Sequence, residues 1–133
     1  MPSPDRVRQL ISMVEAGQFV EAIEEFYAPS ASMQENVQPP RQGLETLVAG
    51  ERRVLASFKS VRTLPVETFF VDGDRSVIRW VFEFTGHDGR SFRQDELAYQ
   101  KWAGDKIVEE RFYYDPSQTK LTSQSSASPP AAP

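Results

Sequence analysis

The groups able to do chemistry in this sequence are carboxylates, amides and aromatic rings, because it holds no cysteine and one histidine, His87. Thiol nucleophiles, disulfides, thiolate metal sites and a multi-histidine metal cage within one chain are thereby removed, so no metal site is expected. Carboxylates can still act as general acids or bases where an apolar setting raises their pKa toward the working pH. Alternation at period two sorts the candidates. Gln94, Glu96, Ala98, Gln100 and Trp102 share one face of a strand, as do Trp80, Phe82 and Phe84, and as do Glu110, Phe112 and Tyr114. The aromatic members read first as core, and the same rings can wall a pocket for a flat or lipidic ligand. A slip of one residue would turn the face of Glu96 outward and put Leu97 and Tyr99 inside. Arg79, Glu83, Arg93, Asp95, Glu109 and Arg111 alternate in sign on the opposite parity, which suits cross-strand ion pairs on an outer face. His87 lies in the turn from Gly86 to Gly89 and reads as a surface residue, with a ligand contact at a pocket rim as the other reading.

These residues need a scaffold, and the composition bounds it. The chain has 133 residues, 39% of them hydrophobic and 26% charged, with nine Phe, which fits one folded domain with its own core. Nineteen acidic against fifteen basic residues give a net charge of −4, so there is no global positive field to attract a phosphate backbone and nucleic acid is not an expected partner. No apolar run approaches the roughly 18 residues that cross a bilayer, and Met1 to Arg6 lacks the apolar stretch of a secretory signal. The expectation is a soluble, cytoplasmic protein with no membrane partner. After Asp115-Pro116 the sequence becomes Ser, Pro, Ala, Gln and Thr with Leu121 as its one large apolar residue, predicting a domain over 1–116 and a disordered tail over 117–133.

Within the domain, Ser3 can cap a helix with Pro4 in its first position, and Val7, Leu10, Ile11 and Val14 form its stripe up to Gly17. A second helix carries Phe19, Ile23, Phe26 and Tyr27 on one face and is predicted to end at Pro29. A short extended piece over Ala31 to Glu35 and a polar loop with Pro39-Pro40 lead to a third helix, about Gly43 to Lys59, striped by Leu44, Leu47, Val48, Leu55 and Phe58. From Val61 the period becomes two. Four long strands are predicted, Val61–Val71, Ser76–Thr85, Ser91–Trp102 and Lys106–Tyr114, separated by Asp72-Gly73-Asp74, Gly86 to Gly89 and Ala103-Gly104-Asp105. Helices followed by an antiparallel meander imply an α+β fold whose curved sheet wraps three N-terminal helices into a cone with a pocket. Apolar residues on both sheet faces point to a homodimer that covers the outer one.

The element order and three local strings carry a resemblance. Phe19-Val20-Glu21-Ala22-Ile23 through Phe26-Tyr27-Ala28-Pro29-Ser30-Ala31, the helix start Gly43-Leu44-Glu45, and Gly104-Asp105-Lys106-Ile107-Val108-Glu109-Glu110-Arg111 resemble the SnoaL-like and ketosteroid-isomerase-like branch of the nuclear transport factor 2-like superfamily, over about residues 5–116. The resemblance implies a cystatin-like α+β roll. It leaves the activity open, since this fold hosts isomerases, cyclases, dehydratases, epoxide hydrolases and binding pockets without chemistry. It places Glu35, in Ala31-Ser32-Met33-Gln34-Glu35, at the isomerases' general-base position, and it turns the Glu96 face into the cone with Glu96 as a second acid or base. The isomerases' oxyanion donors correspond to Leu10 and Ala98, neither of which can donate, so steroid isomerisation by that mechanism is rejected. An epoxide-hydrolase-type set could only be improvised from Glu35, Glu96 and Glu110. Two classes of function stay open. One is a cofactor-independent cyclase or isomerase acting on a small hydrophobic or carbonyl-bearing molecule, with Glu35 and Glu96 catalytic and Trp80, Phe82, Phe84, Gln94, Ala98, Phe112 and Tyr114 binding the ligand. The other is a non-catalytic ligand-binding or dimeric assembly module of the same fold.

Overall fold

The computed structural model describes residues 1–119. Helix α1, Pro4–Glu15, starts where expected: the Ser3 hydroxyl accepts from the Arg6 amide at 3.1 Å, and Val7, Leu10, Ile11 and Val14 are buried. Ser3→Ala is expected to cost about 1 kcal/mol, read as a lower urea midpoint at unchanged slope. Gly17, at φ +80°, lets the chain reverse into α2, Phe19–Phe26. This helix ends before the expected Pro29. A residue preceding proline is pushed out of the helical region, and the backbone is already extended at Tyr27, which opens strand β1, Tyr27–Glu35. Pro29 thus sits inside a strand, within the stretch where the pairing of β1 shifts register between Tyr27 and Ser32.

The loop predicted after β1 contains a two-residue strand, β2, Arg41–Gln42, paired antiparallel to it. Helix α3 runs Leu44–Ser57 with Leu47 and Gly50 buried. The single strand expected over Val61–Val71 is two, β3 (Ser60–Thr63) and β4 (Phe69–Asp72), both antiparallel to β5, Arg75–Thr85. Pro65 has no N–H to give a ladder, and residues 64–68 bulge opposite residues 79–81. Strands β6, Ser91–Ala103, and β7, Lys106–Tyr113, complete one sheet of order β2-β1-β7-β6-β5-β3, with β4 beside β5 and with β1 and β7 parallel. A short 3-10 helix, Pro116–Thr119, follows, and its Gln118 side chain donates to the Asp95 carbonyl at 3.1 Å. The boundary expected after residue 116 therefore falls inside a packed turn, and residues 120–133 of the expected tail lie outside the described residues.

The mixed α+β architecture is the expected one. Its inner face carries Ile78, Trp80, Glu96, Ala98, Gln100, Trp102 and Glu110, all buried, while Leu97, Tyr99 and Tyr113 are exposed, which settles the parity of β6 and β7. On the outer face the sign alternation becomes cross-strand pairs: Arg79 to Asp95 at 2.7 Å, Arg62 and Arg93 to Glu83 at 3.1 and 3.4 Å, and Lys101 to Glu109 at 4.0 Å. Exposed pairs of this kind add little stability each but set register against slippage.

Candidate functional site

A cavity of about 490 Å³ opens between the sheet and the three helices. One wall is aromatic: Trp80 and Phe82 stack with centroids 5.7 Å apart, Phe84 and Phe92 at 4.8 Å, and Phe58 from the end of α3 lies 5.0 Å from Phe84. The period of β5 dictates this, since alternate residues of a strand face one way. The other wall carries four carboxylates, Glu35, Glu51, Glu96 and Glu110, together with Arg41, Tyr27 and Tyr114.

The carboxylates are held differently. Glu35 has both oxygens engaged: Oε2 takes an ion pair and hydrogen bond from Arg41, and Oε1 accepts from the Tyr114 hydroxyl at 3.1 Å. Burial, then the Glu35 charge, pushes the Tyr114 phenol up to about 12, so it stays a donor. Glu96, 5% exposed, accepts from Gln94 Nε2 at 2.6 Å through Oε1, and Oε2 has no hydrogen-bond partner among the described residues. Burial pushes its carboxyl up to about 8 against the Gln94 bond, with the charges of Glu35, Glu110 and Glu51 adding to the rise. Glu110, 3% exposed, accepts from Gln100 Nε2 at 2.6 Å and from the Tyr27 hydroxyl. Burial raises it to about 7 although those two bonds pull it down. Burial also raises Glu51, with Arg41 opposing and Glu35 adding. Burial raises the Tyr27 phenol well above its ordinary value, Glu110 adding to the rise.

A low-dielectric cavity with a single guanidinium among four carboxylates favours protons on some of them, and it presents both acid and base near neutrality. Among the described residues no group of three or more His, Asp or Glu side chains is arranged to hold a metal ion.

The structure brings Glu35, Glu96, Trp80, Phe82, Phe84, Gln94, Phe112 and Tyr114 to this one cavity. Ala98 is a correction. It shares the inward face but is fully buried between its strand partners Ile78 and Phe112 and is not among the residues that line the cavity. His87 is exposed and its Nε2 lies 3.1 Å from the Ala56 carbonyl, away from the lining. Sequence reasoning missed Arg41, Glu51 and Tyr27 as site residues, and weighed Glu110 only in an improvised set. Glu51 left a signal: it interrupts the apolar stripe of α3, three residues after Val48 and four before Leu55, where a carboxylate must face whatever the stripe faces. Arg41 left none, because its position depends on β2. The buried Gly50 of α3 lies beside it, where an added methyl group would make an ordinary 3.5 Å contact with Arg41 Nη1.

Comparison with known proteins agrees with this fold. The family model described as the SnoaL-like domain matches residues 7–110. No curated protein matches significantly. Among solved structures, a candidate SnoaL-like polyketide cyclase from Mesorhizobium loti is 23% identical with a TM-score of 0.72, over 86% of this chain and 100% of that one. A protein of ketosteroid-isomerase-like fold from Catenulispora acidiphila, in complex with trimethylamine, is 18% identical with a TM-score of 0.73, covering 88% and 90% of the two chains. TerC, co-crystallised with polyporic acid, is 14% identical with a TM-score of 0.72, covering 85% and 91%. At these identities the structural matches establish a shared fold.

Proposed function

The chain belongs to the SnoaL-like family, and from that premise we propose that its cavity binds a small, largely apolar, carbonyl-bearing molecule and moves a proton on it without a cofactor. One observation carries this reading: Glu96 presents a free carboxyl oxygen to an aromatic-walled cavity, and burial brings its carboxyl to about 8, near the working range of a general acid or base. The ionised Glu96 takes a proton from the carbon beside the carbonyl. The C–H electron pair becomes the enolate double bond, and the carbonyl π pair moves onto oxygen. Return of the proton at another carbon isomerises the substrate, whereas attack of the enolate carbon on a second carbonyl closes a ring. Glu35, engaged by Arg41 and Tyr114, is the second carboxylate of the site and holds the Tyr114 ring at the cavity wall by accepting its hydroxyl hydrogen. Small-molecule occupancy of the same fold by trimethylamine and by polyporic acid in two structural relatives supports the binding half of the proposal.

The test is deuterium incorporation from heavy water at the α-carbon of acetophenone and related aryl ketones, followed by proton NMR. Exchange above the buffer rate that disappears in Glu96→Gln is the expected result. Exchange that survives this substitution would refute Glu96 as the base. Binding without exchange for every ketone would favour the second reading, a non-catalytic binding module, which draws on Leu10 lining the cavity where it can donate nothing.

The exposed Leu97, Tyr99 and Tyr113, at 46%, 41% and 41%, support a homodimer through the outer sheet face. Sedimentation equilibrium is expected to give twice the chain mass, and Leu97→Asp to give the monomer with unchanged circular dichroism. No helix among the described residues is long and apolar enough to cross a membrane, and the cytoplasm is the proposed location.

A further inference from the structure

A hydrogen-bond chain with a fixed direction runs from the core to the cavity. The Trp102 indole Nε1 donates to Ser76 Oγ at 2.8 Å, and an indole N–H can only donate. The hydroxyl hydrogen of Ser76 therefore goes to Gln100 Oε1, 2.5 Å away. That contact turns the NH₂ of Gln100 toward Glu110 Oε2, at 2.6 Å. Oε2 is thus an acceptor, and any proton on Glu110 sits on Oε1, the oxygen that meets the Tyr27 hydroxyl. Ser76, Gln100 and Trp102 are each 2% exposed or less, which keeps solvent from scrambling these directions.

The consequence falls on Tyr27, which lines the cavity together with Glu110. When Glu110 is ionised, the Tyr27 O–H donates to Oε1 and the cavity meets only the phenol's lone pairs. When Glu110 is neutral, its O–H donates to Tyr27 Oη, and the phenolic hydrogen is released to the cavity. We infer that Tyr27, backed by the neutral carboxyl of Glu110, donates the hydrogen bond that holds the carbonyl or enolate oxygen of the ligand. The inference rests on the carbonyl-binding reading above and supplies a donor in a site where Leu10 offers none. The charged and titratable groups around the pair are Glu35 of β1, Arg41 of β2, Glu51 of α3, Glu96 of β6 and Tyr114 beyond β7. Burial first, and the charges of Glu35 and Glu51 after it, favour the proton on Glu110 against the hydrogen bonds from Tyr27 and Gln100, so the donating form is present below about 7 and is lost above it.

The experiment is isotope-edited infrared spectroscopy of acetophenone labelled at its carbonyl carbon and bound to the full chain, at about pH 6 and about pH 9, on either side of the Glu110 transition. The bound carbonyl band is expected at lower frequency at the acidic pH and to move back at the alkaline one. Tyr27→Phe loses the displacement at both. Glu110→Gln keeps it at both, because the introduced amide accepts from Gln100 and donates to Tyr27 at every pH. Displacement that persists in Tyr27→Phe, or that ignores pH in the native chain, overturns the inference while leaving a carbonyl-binding cavity. The absence of any bound band overturns the carbonyl-binding reading itself and the inference with it. If Tyr27→Phe does not fold, the pH pair measured on the native chain and on Glu110→Gln decides alone.

Discussion

Glu96→Gln loses roughly 10²–10⁴ of the exchange rate and, at the same time, makes the protein more stable at alkaline pH. The first effect follows from removing the carboxylate that is buried on the inner sheet face and keeps one oxygen, Oε2, unengaged by a hydrogen bond among the described residues. The second follows from linkage. The folded carboxyl is raised from 4.5 to about 8, so across that window the folded state binds more protons than the unfolded one. Stability then falls as pH rises through the window, is unaffected by this group below it, and carries a constant penalty above it. At about 1.4 kcal/mol per pKa unit the penalty is on the order of several kcal/mol, an upper figure because Glu110 titrates in the same field. Glutamine still accepts the Gln94 bond and has no charge to desolvate. Urea midpoints measured from about pH 5 to about pH 9 are expected to fall for the native chain and to fall less for Glu96→Gln, the two curves meeting at the acidic end. Parallel curves would show that Glu96 is not held in a desolvating site. A residue that destabilises the fold where it is ionised is explained most simply by a task that needs the ionised form.

Trp102→Ala has the largest expected effect on stability alone. The side chain is 2% exposed and among the largest fully buried groups, and its removal opens a core cavity worth about 3–5 kcal/mol. It also removes the donor that orders Ser76, Gln100 and Glu110. Trp102→Phe, which keeps most of the volume, isolates the second component and is expected to cost about 1–3 kcal/mol through the buried hydroxyl left short of a partner. Chemical denaturation of both variants, with near-ultraviolet circular dichroism to report packing, checks the pair. A loss below about 1 kcal/mol for Trp102→Ala would mean that the site collapses freely or that the indole is not part of the core.

Much of this was legible in the sequence, and the reasons are local. Helix α1 was readable because a Ser-Pro start and an i, i+3, i+4, i+7 stripe are short-range signals. Strands β5 to β7 were readable because period two survives over their length and glycine turns separate them; the same count grouped Glu96 with Gln94 and Gln100 on one face, and burial in the structure shows that face to be the inner one. Where one residue's backbone chemistry overrode a long pattern, the reading failed. Pro65 split a strand that alternation joined, and α2 gave way to β1 at Tyr27, two residues before the Pro29 expected to end it.

The sequence by itself determined the α+β class, which residues of each long strand share a face, and that any chemistry would rest on carboxylates, amides and aromatic rings. Only the tertiary structure decided which carboxylates meet. Arg41 comes from a two-residue strand, Glu51 from the far helix and Tyr27 from a helix-to-strand junction, and no periodicity within one segment encodes their approach to Glu96 and Glu110. Access was decided there too: Ala98 lies on the inner face yet is fully buried outside the cavity lining, because alternation reports which way a side chain points and not what packs over it. The raised carboxyls and the one-way chain to Tyr27 are likewise products of packing, since desolvation and hydrogen-bond direction exist only once distant segments have closed around them.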